Sequence, residues 1–376
     1  MKVLVFTPLS ERNGAEMMMW YLMKHANPEQ FTFAVYSEVP GPLKSELSAT
    51  IPYYTSAPIP QVSIPQRVIN KLVCTVFRKP PYNVNYWRKG ILDIHESFKP
   101  DIWYINTVLC PNIANLAHEL NIPFVVHFHD LLFIYQQVTY NNLKNMVAGA
   151  KLLVGCSKVV CDKLEIMGGK EIALQYECID IDRVKVDKIV VQKLRESLGI
   201  KSSFIWVMSG SVEYRKGTDI LPVIARKLGK EVTLIWLGPG SSGYSFYIEQ
   251  ELKYYGLNNV LLLGAKSEDY YNYLALADGL VLTSREDPFP LIMIEAAALG
   301  MPIAAFNSGG VKEFVKEGMG IVIDSNNTED LVLAMNKIMR QEVKLDNAIS
   351  VSRANDFDVK VQVQSWQELL LQTLSY

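Results

Sequence analysis

Two carboxylates and a set of free backbone amides could form an anion-binding site in the second half of the chain. Asp287 and Glu295 lie eight residues apart. Asp287 lies in a proline-containing turn, and Glu295 lies in the helix that we expect to begin near Pro290. The first amides of that helix, on Leu291 and Ile292, have no partner within the helix and can bind a phosphate. Glu295 shares their helix face, so its carboxylate can accept hydrogen bonds from ligand hydroxyls. A solvated, capped helix is the alternative interpretation.

A pair of cations lies in another loop. Arg215 and Lys216 follow an apolar strand and a short loop that contains Gly210. Arginine can hold two phosphate oxygens as a fork, and lysine adds a point charge, so the pair is suited to a diphosphate. A solvated basic turn is the alternative.

Two further patterns are candidates for chemistry. His127 and His129 lie two residues apart on a predicted strand and therefore share one face, with His129 nearer the strand end. A histidine in this position is either packed or catalytic. Asp180 and Asp182 form a D-x-D pattern that could bind a metal, but they lie at the predicted junction between two domains.

The segment from Asp287 to Pro302 resembles the signature of family 4 glycosyltransferases, which are retaining enzymes of the GT-B fold that use nucleotide-sugar donors. Asp287 and Glu295 occupy the two acidic positions of the family's E-x7-E pattern, with Asp where Glu is usual, and Gly300-Met-Pro302 resembles its G-x-P. The resemblance implies that Glu295 holds the ribose hydroxyls of the donor and that Asp287 contacts the transferred sugar.

Other loops resemble the same family in the same order along the chain. Arg215-Lys216-Gly217 resembles the loop that holds the donor pyrophosphate, although Ser211 stands where many relatives have an arginine. Asn13-Gly14-Ala15-Glu16 and Ser308-Gly309-Gly310 resemble its glycine-rich loops, and Leu263–Lys266 resembles the strand end that binds the base. The catalytic residues implied are His129 and Asp287. The implied donor site consists of Gly14, Gly210, Arg215, Lys216, Gly264, Lys266, Phe289, Pro290, Leu291, Ile292 and Glu295.

The resemblance also bears on metals and partners. The D-x-D pattern matches the family's hinge segment, so we interpret it as a hinge and expect no metal and no other cofactor. The expected partners are a UDP- or GDP-sugar donor, which is a substrate, and a glycan or lipid-linked acceptor. A role in cell-surface polysaccharide synthesis is the expected setting.

The elements that must position these residues alternate between strands and helices, which predicts an α/β protein with two doubly wound, Rossmann-like domains facing each other across a cleft. We expect an acceptor-binding domain over residues 1–182, a donor domain over 183–357, and a helix within 358–376 that packs back on the first domain, with an apolar stripe from Trp366 onward. The connection between the domains is placed at residues 180–203. The predicted strands, apolar at nearly every position, are Lys2–Thr7, Phe31–Tyr36, Ile102–Asn106, Phe124–His129, Leu152–Gly155, Phe204–Ser209, Val232–Leu237, Val260–Leu263, Leu280–Thr283, Ile303–Phe306 and Ile321–Ile323.

Composition narrows the class of protein. The 376 residues are 49% hydrophobic and 20% charged, with a net charge of −2, which argues against disorder, a coiled coil and a nucleic-acid partner. We expect no signal peptide and no transmembrane helix, and the five unpaired-looking cysteines favour the cytoplasm. Residues 64–100 hold seven basic and two acidic side chains. That segment contacts the inner membrane surface peripherally, binds a phosphorylated acceptor, or is a solvated loop and helix face.

Three other functions fit parts of the sequence. A non-hydrolysing sugar-nucleotide epimerase shares the GT-B fold and would turn over the donor without an acceptor. A non-catalytic sugar-nucleotide binding protein would bind the donor without turnover. A dinucleotide-dependent oxidoreductase is less favoured, because no G-x-G-x-x-G follows Lys2–Thr7 or Phe204–Ser209.

Overall fold

The computed structural model describes residues 1–56, 86–240 and 242–374, and within them the chain forms two parallel sheets. The first sheet has seven strands in the order β3-β2-β1-β4-β5-β6-β7, which is a doubly wound arrangement. All of its neighbouring strands pair in parallel. The strands are β1 Lys2–Leu9, β2 Thr32–Val39, β3 Tyr53–Thr55, β4 Ile102–Ile105, β5 Phe124–Phe128, β6 Leu152–Gly155 and β7 Ile172–Leu174.

The second sheet has six parallel strands in the order β10-β9-β8-β11-β12-β13. Its strands are β8 Phe204–Ser209, β9 Val232–Leu237, β10 Val260–Leu262, β11 Gly279–Leu282, β12 Ile303–Phe306 and β13 Gly320–Ile323. The expected GT-B architecture of two α/β domains is confirmed. Loops at the carboxyl ends of strands in both sheets can therefore meet in the cleft between them.

Helices cover both faces of each sheet. In the first half they are Gly14–His25, Tyr86–Phe98, Pro111–Glu119, Leu132–Tyr135, Tyr140–Gly149 and Lys158–Ile166. In the second half they are Lys188–Ser197, Leu221–Leu228, Gly243–Tyr254, Tyr270–Leu274, Leu291–Ala298, Val311–Phe314, Thr328–Met339, Asn347–Asn355 and Val359–Gln372. None of the helices in the described parts of the chain is long and apolar enough to cross a membrane.

Every predicted strand is present within three residues of its predicted bounds, while β3 and β7 are absent from the prediction. Both are three-residue edge strands whose side chains are only half-buried. A continuous apolar run marks a strand that is covered on both faces, and these two strands are not.

The C-terminal helix Val359–Gln372 packs on the first sheet and on helix Gly14–His25. Its buried face begins at Val359 and continues through Val363 and Trp366, so the apolar stripe starts seven residues before its predicted start. The chain crosses between the sheets twice at one place. There, Ile179 and Asp358 form a parallel bridge.

The basic segment 64–100 lies mainly outside the described residues. Within its described part, Arg88 forms an ion pair with Glu119, and Lys89 pairs with Asp93 one turn along the same helix. The connection at residues 180–203 contains the helix Lys188–Ser197, whose first turn is capped by the side chain of Asp187.

Candidate functional site

Two helix starts face each other across the cleft. Helix Leu291–Ala298 begins directly after Pro290, as predicted, and no side chain caps it. The amides of Leu291 and Ile292 lie in the first turn, where a helix provides no internal acceptor. A Cβ built on Gly14, the first residue of helix Gly14–His25, would lie 3.7 Å from Cδ1 of Leu291. The partial positive charges of both helix starts therefore converge on one place.

Glu295 is held by two tyrosine hydroxyls. Tyr270 donates to Oε2 at 2.8 Å and Tyr271 donates to Oε1 at 3.2 Å. Burial raises the pKa of Glu295, and the hydrogen bonds from the tyrosines partly offset this increase. The hydroxyl of Tyr270 also lies 3.3 Å from that of Ser209, the last residue of β8. Glu295 is thus positioned at the carboxyl end of the second sheet.

Asp287 is buried and paired with Lys216. Nζ of Lys216 lies 2.6 Å from Oδ2 of Asp287, and the Ser284 hydroxyl lies 3.4 Å from the same oxygen. The Lys216 side chain also packs beside Gly210, where a Cβ would lie 3.3 Å from Cε of the lysine. The structure therefore brings together Lys216 and Gly210 of the predicted donor site and Asp287, which is a predicted catalytic residue.

Arg215 is anchored in the same loop. Its guanidinium donates to Oε1 of Glu213 at 2.9 Å and to the carbonyl of Glu286 at 3.2 Å. Its Nε is buried and has no hydrogen-bond partner among the described residues. The loop turns through Gly217, whose φ of 73° and close approach to the carbonyl of Thr283 require glycine. The cations are thus fixed beside the loop that carries Asp287.

The loop at Gly309 and Gly310 packs against the turn before helix Leu291–Ala298. Gly309 has a φ of 159°, and a Cβ there would lie 2.1 Å from the carbonyl oxygen of Asp287. The ring of Phe289 stacks on Phe357 at 5.3 Å between centroids and contacts Tyr176 at 5.2 Å. Because this ring is buried in an aromatic cluster, Phe289 can offer only its backbone to a ligand.

His129 lies at the carboxyl end of β5 in the first domain, with both ring nitrogens engaged. Nδ1 donates to Oε1 of Glu177 at 2.6 Å, and Nε2 donates to Oδ1 of Asn106 at 3.0 Å. Asn106 donates its amide to the carbonyl of Ala15, which fixes its oxygen toward the histidine. Burial alone would lower the pKa of His129, but the carboxylates of Glu177, Asp130 and Glu16, of which Glu177 contributes most, together raise it. The arrangement is that of a buried imidazolium.

His127 stacks beside His129, with ring centroids 3.9 Å apart, and has a different role. Its Nδ1 accepts a hydrogen bond from the hydroxyl of Tyr104 at 2.7 Å, and that oxygen accepts one from Nε1 of Trp366 at 3.1 Å. Burial and the neighbouring His129 lower the pKa of His127. It is therefore neutral, and it connects the C-terminal helix to the histidine at the cleft.

The residues predicted to bind the base, Gly264 and Lys266, follow the carboxyl end of β10. Gly264 has a φ of 71° with open space around it, and Nζ of Lys266 lies 4.5 Å from the centroid of the Tyr273 ring. The backbone N–H of Gly238 donates to the carbonyl of Gly264 at 3.1 Å, which joins this loop to β9. Within the described part of the chain, Lys266 forms no ion pair with Glu295, and Gly264 and Lys266 form a separate part of the same strand-end surface.

Two sets of residues carry side chains of the types that bind metal ions. Asp182 of the D-x-D pattern is exposed and pairs with Lys360 at 2.6 Å, beside the crossing of the chain. In the described part of the chain, one group has ligand atoms close enough for an ion, formed by His129, Cys156 and Glu177. There the histidine and the glutamate are joined directly by a hydrogen bond, and burial raises the pKa of the cysteine thiol. These residues fit a structural ion pair better than a metal site.

Sequence reasoning missed the partners of the key side chains. Tyr270 and Tyr271 follow the strand end assigned to the base site, and no spacing rule links them to Glu295, which lies 25 and 24 residues away. Glu177 lies 48 residues from His129, and only the fold brings them together. Glu313, in the helix Val311–Phe314 that follows the second glycine-rich loop, caps the start of helix Lys158–Ile166 in the other domain.

The chain is similar in sequence to known glycosyltransferases. The sequence profile of the family described as "Glycosyl transferases group 1" matches residues 190–354. N-acetyl-alpha-D-glucosaminyl L-malate synthase of Bacillus anthracis is 22% identical over 283 residues, covering 72% of this chain and 73% of that protein. Glycogen synthase of Mycobacterium tuberculosis is 30% identical over 159 residues, covering 40% and 38% of the two chains.

Solved structures show the same fold over the whole chain. HepE of Anabaena, in complex with UDP and glucose, matches with a TM-score of 0.81 at 24% identity, covering 99% of this chain and 100% of that one. Sucrose-phosphate synthase of Thermosynechococcus elongatus matches with a TM-score of 0.80 at 15% identity, covering 100% and 99%.

Proposed function

We propose that this chain, which has the GT-B fold and matches the group 1 glycosyltransferase profile over residues 190–354, is a retaining, metal-independent glycosyltransferase. It would move a sugar from a UDP- or GDP-sugar to a glycan or lipid-linked acceptor. The observation that carries the proposal is the cluster of Glu295, Lys216, Asp287 and the helix start at Leu291 around one cleft. HepE, which has the same fold, binds UDP and UDP-glucose.

The leaving nucleoside diphosphate would be stabilised by the protein's own charges. Arg215, Lys216 and the amides of Leu291 and Ile292 offer cations and N–H donors in fixed positions, so little reorganisation is needed when the charge develops. Glu295 would bind the ribose hydroxyls. On the acceptor side, the imidazolium of His129 lies at the end of β5. The base that takes the proton of the acceptor hydroxyl would be the leaving phosphate itself.

We propose that the reaction takes place in the cytoplasm and serves the synthesis of cell-surface polysaccharide. The basic segment 64–100 would contact the inner membrane surface peripherally. The donor domain would be residues 183–357, and the acceptor domain residues 1–182 together with the C-terminal helix. Thermal-shift screening against nucleoside diphosphates and nucleotide sugars identifies the donor, because a ligand that binds only the folded state raises its stability.

One experiment tests both the metal independence and the stereochemistry. Donor and acceptor react with excess chelator while the anomeric proton is followed by NMR, and we expect undiminished activity and an α-linked product from an α-linked donor. Activity that chelator abolishes and manganese restores would overturn the metal-free mechanism. A β-linked product would overturn retention. Donor turnover without any acceptor would indicate an epimerase instead, and binding without turnover a non-catalytic binding protein.

A further inference from the structure

Two adjacent tyrosines of helix Tyr270–Leu274 each donate a hydrogen bond to a different oxygen of the Glu295 carboxylate. Tyr270 donates to one oxygen at 2.8 Å and Tyr271 to the other at 3.2 Å. The two rings meet edge to face at 5.2 Å between centroids, and both are half-buried against the core. Each hydroxyl is thereby held at a fixed position relative to the carboxylate.

The two tyrosine hydroxyls stabilise and orient the carboxylate of Glu295, a role that a lysine or arginine side chain commonly has in other proteins. Within residues 1–56, 86–240 and 242–374, no lysine or arginine forms an ion pair with Glu295. A half-buried carboxylate without a cation depends on hydrogen bonds to remain ionised and oriented. The last torsion of a glutamate is otherwise broad, so an unheld carboxylate would rotate freely about it.

We propose that Tyr270 and Tyr271 are positioning residues that fix the plane of the Glu295 carboxylate so that it can accept both hydroxyls of a ribose cis-diol. The inference rests on the proposed function, in which Glu295 is the ribose ligand. An ionised carboxylate has about four acceptor sites. The tyrosines occupy one on each oxygen, and the remaining sites of both oxygens are then presented together. Because the orientation is set before binding, the ligand does not have to order the side chain.

The test compares ribose recognition in tyrosine-to-phenylalanine variants. Titration calorimetry measures the affinities of UDP and 2′,3′-dideoxy-UDP, with GDP and 2′,3′-dideoxy-GDP in parallel, for the wild type, Tyr270→Phe, Tyr271→Phe and the double variant. Tyr254→Phe, which changes an exposed residue outside the site, is the matched control. Glu295→Gln sets the preference that remains without the carboxylate.

We expect the wild type and the control to prefer the ribonucleotide by about tenfold or more, as for a hydrogen bond to a charged group. In the double variant this preference should fall to about threefold or less, while the affinity for the dideoxynucleotide changes by less than about twofold. A full preference in the double variant, or an equal loss for both nucleotides, would show that the tyrosines only support the fold. A wild type that binds neither UDP nor GDP would overturn the proposed function and this inference together. A ribose preference that Glu295→Gln abolishes and the double variant retains would overturn the inference alone.

Discussion

Replacing Lys216 with methionine should destabilise the protein and weaken diphosphate binding, and a second substitution should separate the two effects. Nζ of Lys216 lies 2.6 Å from Oδ2 of Asp287, and the two side chains are only 16% and 9% exposed. Lys216→Met leaves the aspartate carboxylate with the distant Ser284 hydroxyl as its remaining side-chain contact. Removing one partner of a buried pair costs about 3 kcal/mol, because the other charge stays buried and unpaired.

The double variant Lys216→Met/Asp287→Asn removes the unpaired charge of the aspartate, so most of the lost free energy of unfolding should be regained. The phosphate contact belongs to the lysine itself, and its loss should not be repaired. A charge-assisted hydrogen bond of about 1.5–3 kcal/mol corresponds to a loss of about 10- to 150-fold in UDP affinity. We therefore expect the double variant to be stable and to bind UDP weakly.

Thermal denaturation reports the first effect, and titration calorimetry with UDP and uridine reports the second. Uridine lacks the phosphates, so its affinity should be nearly unchanged in both variants. If the double variant regains the wild-type affinity for UDP, Lys216 serves only to neutralise Asp287 and is not a phosphate ligand. Equal losses for UDP and uridine would place the lysine elsewhere in the site.

Three other substitutions test neighbouring parts of the site. Glu295→Ala should weaken nucleoside diphosphate binding by about 1.5–3 kcal/mol in calorimetry, and unchanged affinity would make Glu295 a structural residue. Arg215→Ala should lower the affinity for UDP and leave that for uridine intact, and an equal loss for both would contradict a phosphate role. The raised pKa of His129 implies that its pairing with Glu177 stabilises the fold fully below the ordinary histidine pKa and less as pH rises through the raised value. The melting temperature should therefore fall with rising pH more steeply in the wild type than in the double variant His129→Gln/Glu177→Gln. Parallel curves of melting temperature against pH would contradict the ion pair.

The sequence predicts the architecture well because the information is local. Buried parallel strands are apolar at nearly every position, and this marks strands such as Phe204–Ser209 and Val232–Leu237 at their correct bounds. The start of helix Leu291–Ala298 is equally local, since Pro290 suits a helix start and prevents the chain from continuing a strand.

The side-chain partnerships could not be predicted in the same way. Glu295 is oriented by residues of another helix, and Lys216 pairs with Asp287 across 71 residues of chain. Such contacts depend on which strand ends the sheet order brings together, and that order is a property of the whole fold. The resemblance to a family supplies expected roles for each residue, but it does not show that these charges are paired with each other.

The double crossing of the chain limits how the two halves of the molecule can move. Ile179 donates to the carbonyl of Phe357 at 3.2 Å, and Val359 donates to the carbonyl of Ile179 at 2.8 Å, so the outgoing and returning segments are joined side by side. A relative rotation of the two halves that kept both hydrogen bonds would displace atoms least near Ile179 and most at the residues far from it. The Lys360–Asp182 ion pair would lie close to the axis of such a rotation.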